Sequence, residues 1–140
     1  MCCRRIMRGV PVVPQILTNR AGDFLLASKK LAEMGYREIN LNLGCPSGTV
    51  TAKKKGSGFL LYPDDLDRFF DEVFSDASVR NGEFQISVKT RIGKNEVEEW
   101  PEIMAIYNRY PISELTVHPR IQKEFYKGVP LYFGCYLRIF

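Results

Sequence analysis

Material for a metal site is scarce in this chain. It has one histidine, His118, and four cysteines, Cys2, Cys3, Cys45 and Cys135. The only close cysteine pair is adjacent, and no second pair or His-rich segment completes the short ligand spacings of a tetrahedral zinc site. No metal is therefore expected. Adjacent cysteines do not readily close an ordinary disulfide on each other, and no apolar segment with a small-residue cleavage site opens the chain. A cytoplasmic location is the expectation. No apolar run approaches the roughly 18 residues that a membrane-spanning helix needs. The first apolar run also leads into VPQILTNRAGD without the GxGxxG turn that usually marks an open dinucleotide-binding sheet.

What is present is an ordinary globular composition. With 140 residues, 45% of them hydrophobic and 26% charged, the chain suits one domain with a sizeable core. Lys and Arg number 20 against 16 Asp and Glu, and this net charge of +4 permits a polyanionic partner without requiring one. The acidic residues gather in DDLDRFFDEVFSD and NEVEEWPE, which leaves MCCRRIMR and TAKKKGSG locally basic.

Hydrophobic periodicity then alternates along the chain. VPVVPQILT, from Val10 to Thr18, reads as a short strand. GDFLLASKKLAEMGY carries Phe24, Ala27, Leu31 and Met34 at helical spacing and stops at Gly35. REINLNLG is a strand, GTVTAKKKGSG a glycine-rich loop, and YPDDLDRFFDEVF a helix with Leu66, Phe69, Phe70 and Val73 on one face behind an Asp cap. FQISVKTRIG, VEEWPEIMAIYNRY and ELTVHPR repeat strand, helix, strand. Such alternation predicts an α/β fold of βαβ units with a parallel sheet, either doubly wound or an arc of a (β/α)8 barrel.

The polar residues separate these two architectures. Each expected strand ends in something chemically capable: Gln15, then Asn42 with Cys45, then Lys89 with Arg91, then His118 with Arg120. Ligands of α/β sheets meet the carboxyl ends of the strands, and a ring of such groups favours the barrel over a single crevice. Alternation places Ser87, Lys89 and Arg91 on one face of their strand, the lumen of a barrel, where a lysine is costly unless it meets an anion. A cysteine at a strand end is by default a small core residue, so Cys45 needs a further reason to be read as chemical.

INLNLGCPSGTVTAKKKGSGFLL, ISVKTRIG and LTVHPR, in this order and at these separations, resemble the tRNA-dihydrouridine synthases. These are flavin enzymes whose barrel strands end in Asn-x-x-Cys-Pro, Lys-x-Arg and His-x-Arg motifs. Dihydroorotate dehydrogenases and other FMN barrels share an Asn-x-x-Cys-Pro-like turn, and the three motifs together with KGSGFLL favour the synthases. The resemblance implies FMN as cofactor, NADPH as its reductant, and tRNA as substrate. Hydride would go to C6 of a uracil, and an acid on the opposite face would protonate C5. Cys45 matches that acid; a thiol of ordinary pKa, about 8.5, holds its proton at neutral pH where a carboxylic acid is usually ionised.

By the same resemblance Gln15, Asn42, Lys89 and His118 are flavin contacts, with Lys89 at the electron-rich N1/O2 edge. Lys53, Lys54 and Lys55, together with Arg91 and Arg120, are candidates for contacts to RNA, and the target uridine would have to leave its stack. Many members carry a second arginine after His-x-Arg where this chain has Gln122.

A complete barrel takes about 250 residues, so residues 1–126 are read as a partial barrel of about strands 2 to 5. Residues 127–140 are expected to form an irregular tail whose native status the sequence leaves open. Phosphate-gripping loops of the later strands are not among these motifs, and weak FMN binding or none is the expectation. An inactive half-barrel or weak RNA- or flavin-binding remnant stays open beside the enzyme, as does self-association through exposed sheet edges.

Overall fold

A computed structural model describes residues 11–127, 129 and 130. Its centre is a four-stranded parallel sheet of β1 (Gln15–Ile16), β2 (Glu38–Leu43), β3 (Gln85–Gly93) and β4 (Leu115–Ile121), paired in sequential order. Helices α1 (Ala21–Glu33), α2 (Pro63–Ser75) and α3 (Trp100–Tyr107) fill the connections. The expected alternation therefore holds, and four sequential parallel strands with crossover helices form part of a (β/α)8 barrel.

Two-residue alternation builds the sheet. In β2, Ile39, Leu41 and Leu43 are buried on the helix side while Asn40 and Asn42 point to the other face, and in β3 Ile86, Val88 and Thr90 continue the buried side. Leu66, Phe69, Phe70 and Val73 recur at helical spacing on α2 and enter the same core. Phe70 sits at its centre, with Phe69 and Tyr107 edge-on at 5.6 and 5.9 Å between ring centroids.

Several expectations need correcting in detail. Of the run Val10–Thr18 only Gln15–Ile16 pairs; Pro11 and Pro14 have no N–H to give a ladder, and Val10 lies outside the described residues. On α1 the core face is Phe24, Leu25 and Ser28 with Leu31 packed beside it, whereas Met34 is 46% exposed because the helix has already ended. The end is a Schellman turn: Tyr36 N–H donates to Leu31 O at 3.1 Å and Gly35 N–H to Ala32 O at 2.9 Å, with Gly35 at a φ of +98° that a side chain would resist. Helix α2 has no Asp cap. Tyr62 holds the cap position, Pro63 starts the helix, and Asp64 and Asp65 in the first turn complement the helix dipole instead. The glycine-rich loop is also more ordered than expected, with one helical turn at Gly48–Thr51 and a 3-10 segment at Gly56–Leu61.

The tail expected at 127–140 and the basic MCCRRIMR lie almost wholly outside the described residues. Among the described residues no helix is long and apolar enough to cross a membrane, and no cluster of His, Cys, Asp and Glu could hold a metal ion.

Candidate active site

The lumen-side face of the sheet carries a continuous chain of hydrogen bonds. Asn40 Nδ2 donates to Ser87 Oγ at 2.9 Å, Gln15 Nε2 to Asn40 Oδ1 at 2.7 Å, and Asn42 Nδ2 to Gln15 Oε1 at 2.9 Å. Asn42 Oδ1 then accepts from the backbone N–H groups of both Gly44 and Cys45, each at 3.0 Å. Three strands are thus tied to the turn that bears the thiol. Parallel register explains why: Gln15 pairs with Asn40 and Asn40 with Ser87 across neighbouring strands, so their side chains share one face.

Cys45 opens onto a cleft of about 180 Å³ at the carboxyl ends of the strands, lined also by Asn42, Lys89, Arg91, His118 and Tyr126. The cysteine is half-buried and its thiol is free. Lys89, level with Asn42 in the ladder, is exposed. The desolvation expected for a lysine in a barrel lumen is therefore not met among the described residues.

Arg91 is the larger departure. Expected to meet a phosphate, its side chain is only 1% exposed and is spent on the backbone. Nε donates to Gly44 O at 2.9 Å, and Nη1 to Ile121 O at 3.2 Å and Phe125 O at 2.8 Å. Phe125 takes a φ of +52° in the turn that offers that carbonyl. Burial pulls the arginine's pKa below its ordinary value, and the Tyr126 ring, 5.3 Å from the guanidinium, faces the charge.

His118 is held neutral. Burial lowers its pKa first, and the positive charges of Arg91, Arg120 and Lys89 lower it further. Arg120 Nη1 lies 2.8 Å from His118 Nε2. A guanidinium can only donate, so Nε2 accepts and the ring proton sits on Nδ1. Tyr126, 71% exposed, stacks on the imidazole with centroids 6.0 Å apart.

The three lysines are placed differently. Lys53 and Lys54 are exposed and Lys55 half-buried on the loop that follows the cysteine turn, and none of them lines the cleft. Lys54 Nζ lies 4.2 Å over the Tyr62 ring, and Lys53 O accepts from Asn19 Nδ2 at 3.2 Å.

Sequence reasoning missed Asn40, Ser57, Gln122 and Tyr126 as members of this site. Asn40 shares a strand face with Asn42, so alternation contained a signal for it. Ser57, Gln122 and Tyr126 reach the site through contacts between distant segments, which no periodicity announces.

Parallel strands whose carboxyl ends gather amides, a thiol, an imidazole and cations are the frame of a barrel enzyme. Residues 3–134 match the family model of the dihydrouridine synthases, and the chain belongs to that family. A probable tRNA-dihydrouridine synthase of Staphylococcus aureus is 35% identical over 117 residues, which cover 84% of this chain and 34% of the relative. A counterpart in Staphylococcus epidermidis is 33% identical, and a probable tRNA-dihydrouridine synthase 2 of Bacillus subtilis 30% identical, over the same shares. The chain spans about a third of the length of the curated relatives it matches.

Proposed function

We propose that this chain carries part of the active site of a flavin-dependent tRNA-dihydrouridine synthase, which reduces the C5–C6 bond of a uridine in tRNA. The observation that supports this most is the meeting of Cys45, Lys89 and His118 around one cleft in a chain of this family.

The groups present fit a flavin ring. Lys89 offers an exposed ammonium, Asn42 an amide and His118 a neutral imidazole at the same strand ends, a set able to meet both the electron-rich edge and the polar atoms of an isoalloxazine. FMN, reduced by NADPH, supplies the hydride when bound. Gln15 acts on this site through Asn42, whose amide it orients. Cys45 Sγ keeps a proton at the cleft and gives it to C5 of the uracil, so that the carbon is protonated as charge develops there. Lys53, Lys54 and Lys55, on the loop that follows the cysteine turn, and Arg120, next to His118, supply positive charge toward the tRNA backbone. Arg91 enters as a residue that holds the cleft, since its Nε and Nη1 donate to the carbonyl groups of Gly44, Ile121 and Phe125. The cytoplasm is the location this reading proposes, since tRNA is abundant there. The outer edges of β1 and β4, unpaired among the described residues, are where a second copy would add if the chain self-associates.

A chimera tests the reading. Residues 11–127 replace the matched segment of the S. aureus relative, and NADPH-driven formation of dihydrouridine in tRNA is measured with FMN present. Activity comparable with the unmodified relative is expected. A chimera that folds, binds FMN and leaves the uridine unreduced, while the relative reduces it, overturns the proposal.

A further inference from the structure

We propose that Ser57 and Gln122 are positioning residues for the Cys45 thiol, each holding the cysteine turn from an element outside its own strand. Three consecutive carbonyls flank the thiol, and each receives a hydrogen bond from a different part of the fold. Gly44 O is held by Arg91 of β3 at 2.9 Å. Cys45 O accepts twice from Ser57, from its N–H at 3.1 Å and its Oγ at 2.8 Å. Pro46 O accepts from Gln122 Nε2 at 3.0 Å, across 76 residues of sequence. From the opposite side, Asn42 Oδ1 takes the N–H groups of Gly44 and Cys45.

Burial makes these bonds hard to exchange for water. Ser57 and Gln122 are both buried, so breaking either bond leaves a polar group without solvent to turn to. The 3-10 segment also rests directly on the cysteine. A Cβ at Gly56, whose φ is +54°, would stand 2.8 Å from Cys45 O and 2.9 Å from Cys45 Cβ, so only glycine allows Ser57 this approach. A thiol that must protonate one carbon of a bound base works only from a fixed position, and a turn held at every carbonyl supplies that. Gln122 follows the His-x-Arg segment at the position where the resemblance leads to an arginine, and its amide donates to the cysteine turn.

The catalytic meaning of this inference rests on Cys45 being the acid, but its geometry can be tested without that. In the full 140-residue chain, alkylation of Cys45 by iodoacetamide, followed on the Cys45 peptide by mass spectrometry, reports how readily the thiol leaves its half-buried position. Ser57→Ala and Gln122→Met each remove one donor and are expected to raise the alkylation rate roughly 3- to 10-fold. Ser57→Thr keeps the hydroxyl and is expected to stay within about two-fold of the parent. Unchanged rates in both donor-removing variants overturn the proposal, and so does a Ser57→Thr variant that melts like the parent yet is alkylated as fast as Ser57→Ala. Should the variants fail to fold, the parent decides. Its Gly44, Cys45 and Ser57 amides are expected to exchange hydrogen at least about ten-fold more slowly than in an unstructured peptide, and exchange at the peptide rate overturns the inference. If Cys45→Ala proves silent in uridine reduction, the acid reading fails, while these alkylation and exchange results still decide the positioning.

Discussion

The two faces of the same strands make opposite use of their side chains. Toward the helices stand Ile39, Leu41, Leu43, Ile86 and Val88, all buried, with Phe70 packed across them from α2. Even the polar pair there is closed: Thr90 Oγ1 and Tyr107 OH lie 2.8 Å apart, and burial pushes the phenol's pKa up and keeps it un-ionised. Toward the lumen, the amides of Gln15, Asn40 and Asn42 and the Ser87 hydroxyl are linked by hydrogen bonds, and Lys89, Cys45 and His118 stay within reach of solvent. A two-residue period lets one short segment such as INLNL serve both faces at once. Stability is concentrated on one, and chemistry can vary on the other at small cost in folding.

The sharpest way to break this comparison is Cys45→Ala in the chimera described above. A lumen-side change should leave folding alone and strike the chemistry. Reduction of the flavin by NADPH needs no proton at the uracil and is expected to continue nearly unchanged. Uridine reduction is expected to fall by about 10²- to 10⁴-fold, the usual loss of a positioned general acid. Stopped-flow flavin absorbance and dihydrouridine assays measure the two separately. Parent-like uridine reduction in a folded variant would return Cys45 to the rank of a packed turn residue.

Next in size is a pair of stability measurements, one on each face. Phe70→Ala should destabilise the chain by about 3–5 kcal/mol, because the ring is fully buried against Phe69, Phe74, Tyr107 and Tyr110 and the cavity it leaves cannot be filled by its neighbours. Gln15→Ala, which breaks the amide chain at an exposed position, should cost only about 0.5–1.5 kcal/mol. Urea unfolding of the two variants gives both values. Comparable losses would mean that the lumen side bears on stability as much as the core, and the division of labour between the faces would be wrong.

The sequence made one face far more legible than the other. Strand β2 and helix α2 show the period plainly, since burying one side imposes the pattern wherever it holds, whereas β4 has no such alternation of burial. The residues at the strand ends were legible for the same reason: in a parallel α/β sheet Asn42, Cys45, Lys89 and His118 have to lie at one end. Direction was harder to read. Arg91 shares a strand face with Lys89, yet it turns into the carbonyls of Gly44, Ile121 and Phe125 because the turn after β2 and the end of β4 bring them within its reach. Lys89 differs for another reason, since its solvation depends on whatever closes the lumen above it. Ser57 and Gln122 depend on pairs 12 and 76 residues apart, and such contacts exist only once the loops are folded.

The smallest effect is expected at the edge of the sheet's apolar side, where α1 meets the one-turn helix Ala77–Arg80. Asp76 caps that turn, its Oδ1 accepting from Ser78 N–H at 2.9 Å, and its Oδ2 accepts from Lys29 Nζ at 2.9 Å. The hydrogen bond from Lys29 holds its carboxyl below the ordinary value of 3.8, against an opposing push from burial. A carboxyl whose pKa is lower in the folded chain stabilises it at all pH values above the unfolded pKa. That contribution is lost as pH falls through the folded value, so it is present at neutral pH and gone in strong acid. Both side chains keep contact with water, and the pair should be worth less than about 1 kcal/mol. Asp76→Asn retains a capping oxygen but not the charge. Urea midpoints at about pH 7 and at about pH 3 should therefore differ slightly less in the variant than in the parent. If the variant loses as much stability on acidification as the parent, the pair contributes nothing measurable, and the apolar face alone fixes α1 against the sheet.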